Sequence, residues 1–214
     1  MNSWDKSDSY HCHICTSKDC EYFEYCNYIM CIDYYIGPND LDLMRRLYKA
    51  GTEHRKYLRQ IFVSMDITAP LYWWKEFDTY KIGTVANSCS TMHKIAAKEF
   101  TLDDFSHEHL LFGGKRTLLN IIGDLNRWRR IYLNGDIFAP HNSNVVEKVE
   151  PKDKRIWWQL IQLLPTSYNQ KRTITMNYEN VITIIRQRTG HKLDEWNTLI
   201  EILKDLPYIK EITE

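Results

Sequence analysis

Two short stretches of this 214-residue chain alternate in polarity, while most of what surrounds them follows a helical period. In residues 61–67, Ile61, Val63, Met65 and Ile67 face one way and Phe62, Ser64 and Asp66 the other. In residues 172–177, Ile174 and Met176 oppose Thr173, Thr175 and Asn177. A period of two marks a strand with one face covered. Leu41, Leu43, Met44, Leu47 and Tyr48 mark a helix that Asp40 is placed to cap and Gly51 to stop. Pro70 opens a short aromatic helix, Leu71 to Phe77. A helix is predicted over 115–133, with Leu118, Ile122, Leu125 and Tyr132 on its apolar face. Arg127, Arg129 and Arg130 lie on the opposite face and read as solvated charge. Pro151 opens a helix through Ile156, Trp157, Leu160, Ile161 and Leu164, ended by Pro165, and two more helices close the chain. The last carries Leu193, Trp196, Ile200 and Leu203 at helical spacing. These elements predict an α+β fold: a small, mostly antiparallel sheet with long helices packed on it.

The polar, small-residue stretch 78–93 reads as a functional loop, and 134–150 as a further loop. Residues 1–40 are set apart as a Cys/Tyr-rich segment without periodicity, leaving 41–214 as the α+β domain. Lys and Arg number 28 and Asp and Glu 28, a balance that argues against a nucleic-acid binder. No apolar run approaches the ~20 residues that a bilayer span needs. The first residues lack the basic-then-apolar pattern of an export signal, so the expected compartment is the cytoplasm.

Five of the six cysteines lie between Cys12 and Cys31, where in this setting thiols or metal ligation are expected rather than disulfides. Cys12 and Cys15 form a knuckle-like pair, and with Cys20 and Cys26 they could supply the four thiolates of a zinc tetrahedron; free thiols are the alternative. His107-Glu108-His109 is too tightly spaced to copy a helical zinc motif and reads as a surface loop. Cys89 stands alone on the polar loop, with His93 the nearest group able to activate it as a nucleophile.

The run from Pro70 to Met92, PLYWWKEFDTYKIGTVANSCSTM, resembles the signature region of the flavin-dependent thymidylate synthases. That family has a strand, a Pro-led helix and then Arg-His-Arg-x-x-Ser-x-x-x-x-Ser-x-Arg-Tyr. Laid without a gap, Thr79-Tyr80-Lys81 falls on Arg-His-Arg, Thr84 on the first Ser, Cys89 on the second, and Thr91-Met92 on Arg-Tyr. A second block, Leu163 to Arg188, resembles the family's later Leu-Pro…Asn…Arg segment. There Asn177 falls on a flavin-side Asn and Arg188 on a uracil-binding Arg. His191 and Trp196 match a later His and Trp at altered spacing, and the resemblance spans roughly 41–206 in element order.

The resemblance implies roles. Thr79, Tyr80, Lys81 and Asn177 would hold FAD; Asn87, Cys89, Ser90, Thr91 and Arg188 would bind the nucleotide, with Arg188 also orienting the pyrimidine for catalysis. It also implies methylenetetrahydrofolate as one-carbon donor, no protein nucleophile, and a homotetramer with each site at a subunit junction. The departures are chemical. Two phosphate-binding Arg positions of the family carry Thr91 and Ile161 here. Arg binds phosphate through a permanently charged, bidentate fork. Losing two such contacts, at ~1.5–3 kcal/mol each, weakens a nucleotide by roughly two to four decades unless other groups replace them. Lys81, Lys171, Arg172 and Arg186 are the candidate replacements. Two functions follow as expectations: a divergent thymidylate synthase-like enzyme methylating a pyrimidine nucleotide, or a non-catalytic nucleotide-binding, sequestering oligomer on the same scaffold.

Overall fold

The computed structural model describes residues 6–11, 34–88, 90–138 and 147–214. In chain order its elements are β1 (Tyr10–His11), β2 (Tyr34–Tyr35), α1 (Pro38–Lys49), β3 (Phe62–Pro70), α2 (Leu71–Phe77), β4 (Thr84–Ser88) and α3 (Thr91–Lys94). There follow α4 (Phe112–Asn134), β5 (Asp136–Phe138), β6 (Glu147–Val149), α5 (Lys154–Gln162), β7 (Asn169–Asn177), α6 (Tyr178–Arg188), α7 (Asp194–Lys204) and α8 (Ile209–Thr213). The fold is α+β. No helix among the described residues is long and apolar enough to cross a membrane. The chain divides into two compact units, one of residues 62–176 and one of the residues up to 61 with 177–214.

In the 62–176 unit, β7 lies between β3 and β4. A hydroxyl pair joins Ser64 and Thr175 (3.0 Å) and the Thr173 hydroxyl donates to Asp66 (2.6 Å), so position rises along β3 as it falls along β7 and the two strands are antiparallel. β4 is also antiparallel to β7, with Val85 opposite Thr175 and Asn87 opposite Thr173. The stretch expected as a loop over 78–93 therefore contains an edge strand and the short helix α3. Pro70 ends β3 and caps α2. The first free helix donors, Leu71 N–H and Tyr72 N–H, are taken by the Tyr168 and Thr166 carbonyls, each at 3.0 Å. Trp73, Trp74 and Phe77 are all buried and pack edge-on or stacked at 4.9–5.4 Å.

α4 and α5 form the helical layer of this unit. Leu118, Ile122 and Leu125 of α4 meet Leu160 of α5 and the buried Phe100 and Phe105. Each such side chain removed from water contributes about 1.5–3 kcal/mol. The solvated reading of the α4 arginines holds for exposed Arg127 and Arg130, whereas the Arg129 guanidinium donates to the Ala96 carbonyl at 2.9 Å. α4 ends at Gly135, which adopts φ +74°. A Cβ there would stand 2.6 Å from the Val149 carbonyl oxygen, so glycine is required. The expected loop at 134–150 instead carries the antiparallel pair β5–β6.

In the other unit, α6 and α7 pack through Val181, Ile184, Trp196, Leu199, Ile200 and Leu203. Asp40 does not cap α1. Gly37 holds that position, and the Asp8 carboxylate accepts the N–H groups of Asn39 (2.8 Å) and Asp40 (3.0 Å). Asp40 lies inside the first turn, accepting from Ser7 and Ser9 at 2.6 Å each. Those hydroxyls hold its carboxyl below the usual carboxylate range.

Glu179, in the first turn of α6, receives the guanidinium groups of Arg59 and Arg55. Arg59 foremost, with Arg55 beside it, holds its carboxyl below the ordinary value, against the upward push of burial. A carboxyl depressed in the folded state stabilises above its unfolded pKa, and that contribution disappears as pH falls through the folded value. Glu179→Gln is expected to cost about 1–3 kcal/mol at neutral pH. It should also flatten the loss of stability on acidification below about pH 4.5. Urea melts at neutral and acid pH check this; an acid limb as steep as the parent's would contradict it.

Candidate functional site

The positions singled out around the signature region fall on the end of α2, on β4 and on the turn into α3. Thr79 follows α2, and its hydroxyl donates to the Glu76 carbonyl at 2.7 Å. The Tyr80 ring lies 6.2 Å from that of Phe77. Lys81 is exposed, and no ion-pair partner for it occurs among the described residues. Gly83 turns the chain with φ +72°, and Thr84 begins β4. Asn87 stands opposite Thr173 and in line with Asp66, on the outward face of the sheet. Ser90 caps α3 by accepting the His93 N–H at 3.3 Å, and Thr91 is the first residue of that helix. Cys89 lies outside the described residues, as do Cys12, Cys15, Cys20 and Cys26 with the zinc site proposed for them.

Asn177 and Arg188 belong to the other unit. Asn177 is buried, and its side-chain oxygen caps α6 by accepting the Asn180 N–H at 3.0 Å. Arg188 ends α6 with its guanidinium 4.6 Å over the ring of the fully buried Trp196 and one nitrogen 3.2 Å from His191 Nε2. His191 Nδ1 accepts the Leu193 N–H at 3.1 Å, so this turn aligns Arg188, His191 and Trp196 through local bonds.

Two adjoining clefts open beside Ser90. The first, of 380 Å³, has walls of Leu71, Met92, Ile161 and Leu164, with Ser88, Ser90 and Gln170 as its polar groups. The second, of 280 Å³, also contains Ser90 and Gln170, and adds Lys94, Lys98 and Lys171. Asp103 and Asp104 line it too. Lys98 pairs with Asp104, which raises the ammonium's pKa. Burial alone would push the Asp104 carboxyl up, but Lys98 and the Thr101 N–H and hydroxyl bring it below the usual range. Lys171 reaches the Asp66 carboxylate at 2.6 Å, and with Thr173 lowers its pKa.

Gln170, common to both clefts, is fixed from two sides. Trp74 Nε1 donates to its carbonyl at 2.9 Å, and Arg172 Nε donates to its side-chain oxygen at 2.9 Å. Arg172 itself lies 4.3 Å over the Trp74 ring and pairs with Asp78 at 2.8 Å. Of the basic residues considered as phosphate replacements, Arg172 is thus bound within the fold, Lys171 faces the second cleft, and Arg186 is exposed in the other unit. Lys94, Lys98 and Gln170 were not singled out from sequence; the four-residue spacing of Ser90, Lys94 and Lys98 was the available signal.

In sequence, the chain matches no known protein-family pattern and no curated protein. In structure, it is similar to the flavin-dependent thymidylate synthase ThyX from Helicobacter pylori complexed with FAD and dUMP. One structure of that enzyme aligns with a TM-score of 0.55 at 14% identity, over 90% of this chain and 88% of its own. Another aligns with a TM-score of 0.52 at 15% identity, over 86% and 81%. This is the fold of the flavin-dependent thymidylate synthases. PolB, a UMP/dUMP methylase from Streptomyces cacaoi bound with 5-Br UMP, aligns with a TM-score of 0.44 at 11% identity over 77% and 82%, and adds nothing to that statement. The thymidylate-synthase fold agrees with the expectation drawn from the Pro70–Met92 and Leu163–Arg188 blocks, and with the predicted α+β class.

Proposed function

We propose that this chain binds a pyrimidine nucleotide on the thymidylate-synthase scaffold and holds it without turning it over. The observation that carries the reading is the pair of clefts meeting at Ser90 and Gln170, one apolar and one bearing lysines. A nucleotide is itself divided in this way, with a flat ring at one end and an anion at the other. Neutral donors and acceptors such as Ser88, Ser90 and Gln170 suit its sugar hydroxyls and base edges. By the resemblance, Arg188, stacked on Trp196 in the other unit, is a separate candidate for holding a pyrimidine carbonyl.

The side chains on the presumed flavin positions fit FAD poorly. Thr79 is bonded to the Glu76 carbonyl, Tyr80 packs on Phe77, and Asn177 is buried as the cap of α6. Lys81 is the one charged group of the set. A second reading, favoured by the likeness to an enzyme complexed with FAD and dUMP, is methylation of the nucleotide with FAD and methylenetetrahydrofolate. In either reading the proposed assembly is a homotetramer, supported by the exposure of Ile82 (91%) and Val85 (70%) beside the site.

The test is to record the visible spectrum of the purified chain, then titrate UMP and dUMP calorimetrically with and without FAD. Nucleotide binding by a colourless protein indifferent to FAD is the expected result. A yellow protein, or FAD-dependent methylation, would replace this reading with the second. No binding of either nucleotide would remove both.

A further inference from the structure

We infer that the start of α4 docks on an anionic lipid surface, with Leu111 and Phe112 entering the bilayer interface and Lys115 and Arg116 meeting the lipid phosphates. The inference is independent of the nucleotide reading. Leu111 and Phe112 are each 84% exposed, so their side chains project from the fold instead of packing on it. Leu110 and Leu119, also exposed, flank them. Along the helix, Phe112, Lys115, Arg116 and Leu119 stand at i, i+3, i+4 and i+7 and share one face. Leu118, Ile122 and Leu125 occupy the neighbouring face and hold α4 to its core. The outer face thus carries two apolar side chains with two cations between them, and the fold does not depend on burying it.

The charges select the partner. Lys115 and Arg116 are exposed, and neither has a carboxylate partner among the described residues. No Asp or Glu occurs in the sequence between Glu108 and Asp124. Glu108 is engaged in its own turn, accepting from the Ser106 hydroxyl (3.0 Å) and the His107 N–H (2.8 Å). Asp124 lies eight residues beyond Arg116, roughly 12 Å along the helix and more than a Debye length in physiological salt. Cations at a helix start also oppose its macrodipole, and α4 has neither an acidic residue in its first turn nor a side-chain cap to offset them. Their placement therefore adds nothing to the stability of the helix. A second copy of the chain suits this face poorly. In a closed isologous contact a patch meets itself, which here would bring four cations together without an acid. An acidic lipid surface offers phosphates to the cations and an apolar interior to the projecting side chains, and it asks for no matching shape.

The experiment is co-sedimentation of the full chain with vesicles of phosphatidylcholine, with and without phosphatidylglycerol. The parent is compared with Leu111→Ser/Phe112→Ser, with Lys115→Gln/Arg116→Gln, and with Ile202→Ser, which removes an exposed apolar side chain of the other unit as control. All the altered side chains are exposed, so the core is untouched. The parent should bind vesicles that contain phosphatidylglycerol, pass over those of phosphatidylcholine alone, and bind less as salt is added. Each double variant should weaken binding by about tenfold to a hundredfold, and Ile202→Ser should match the parent. A parent that ignores the acidic vesicles, or binds both kinds equally, would overturn the inference. So would double variants that bind as the parent does. Sedimentation velocity without lipid covers the competing occupant. If Leu111→Ser/Phe112→Ser breaks up an oligomer that the parent and Ile202→Ser keep, this face belongs to a subunit contact and the inference falls.

Discussion

Trp74→Ala is expected to destabilise the 62–176 unit by about 3–5 kcal/mol, the range for truncating a buried tryptophan. The side chain is 1% exposed and stands edge-on to the stacked rings of Trp73 and Phe77 at 4.9 and 5.4 Å, so its removal leaves a cavity that rigid neighbours cannot fill. It also strips the Arg172 guanidinium of the ring beneath it and the Gln170 carbonyl of its donor. Gln170 lines both clefts, so ligand affinity should fall even at temperatures where the variant stays folded. Trp74→Phe separates the two effects. It keeps much of the apolar volume and the stacking face but loses the Nε1 bond, worth about 0.5–1.5 kcal/mol. Urea melts followed by calorimetry on both variants test this; an alanine variant within about 1 kcal/mol of the parent would contradict the packing argument.

Trp196→Ala should have a comparable effect in the other unit, again about 3–5 kcal/mol. Trp196 is fully buried where α6 meets α7, and its ring carries the Arg188 guanidinium at 4.6 Å. Without the ring, Arg188 loses the surface on which its guanidinium lies, while its contact with His191 at 3.2 Å stays. The fork would then sample more rotamers and recognise a carbonyl edge less well, at an entropic cost on binding. Trp196→Phe, which preserves a face for the guanidinium, should retain most nucleotide affinity while losing part of the stability. Equal affinity in the alanine and phenylalanine variants would show that stacking on Trp196 does not prepare Arg188 for ligand.

Which parts of this architecture were legible in sequence follows from how each part is stabilised. The long helices declare themselves because one face is buried in a regular way: Leu118, Ile122 and Leu125 repeat at the helical period, and all three are core. β3 and β7 alternate because only one of their faces is covered, as Ile174 and Met176 show at 0% exposure. β4 escaped notice because it alternates nothing. Val85 and Asn87 are on the open face, while the alternate positions Ala86 and Ser88 carry small side chains. β5 and β6 are only three residues each, too short for a period to register. The cap of α1 was misassigned because Asp8, thirty-one residues from Asn39, does what Asp40 was expected to do. The lysine cleft draws on separate segments around Ser90–Lys98, Asp103–Asp104 and Tyr168–Lys171, which only the folded chain brings together.

β4 has a practical consequence. It forms an outer strand of its sheet, its sequence Thr-Val-Ala-Asn-Ser contains no charge and no proline, and Val85 is open to water. Proteins usually guard such a strand with lysine, proline or a bulge, because its unpaired amides template the addition of further chains. Here the guard is absent from the strand itself. The rim proposed to join subunits is thus also where an unassembled chain would add further copies, and Val85→Lys is expected to weaken both kinds of association.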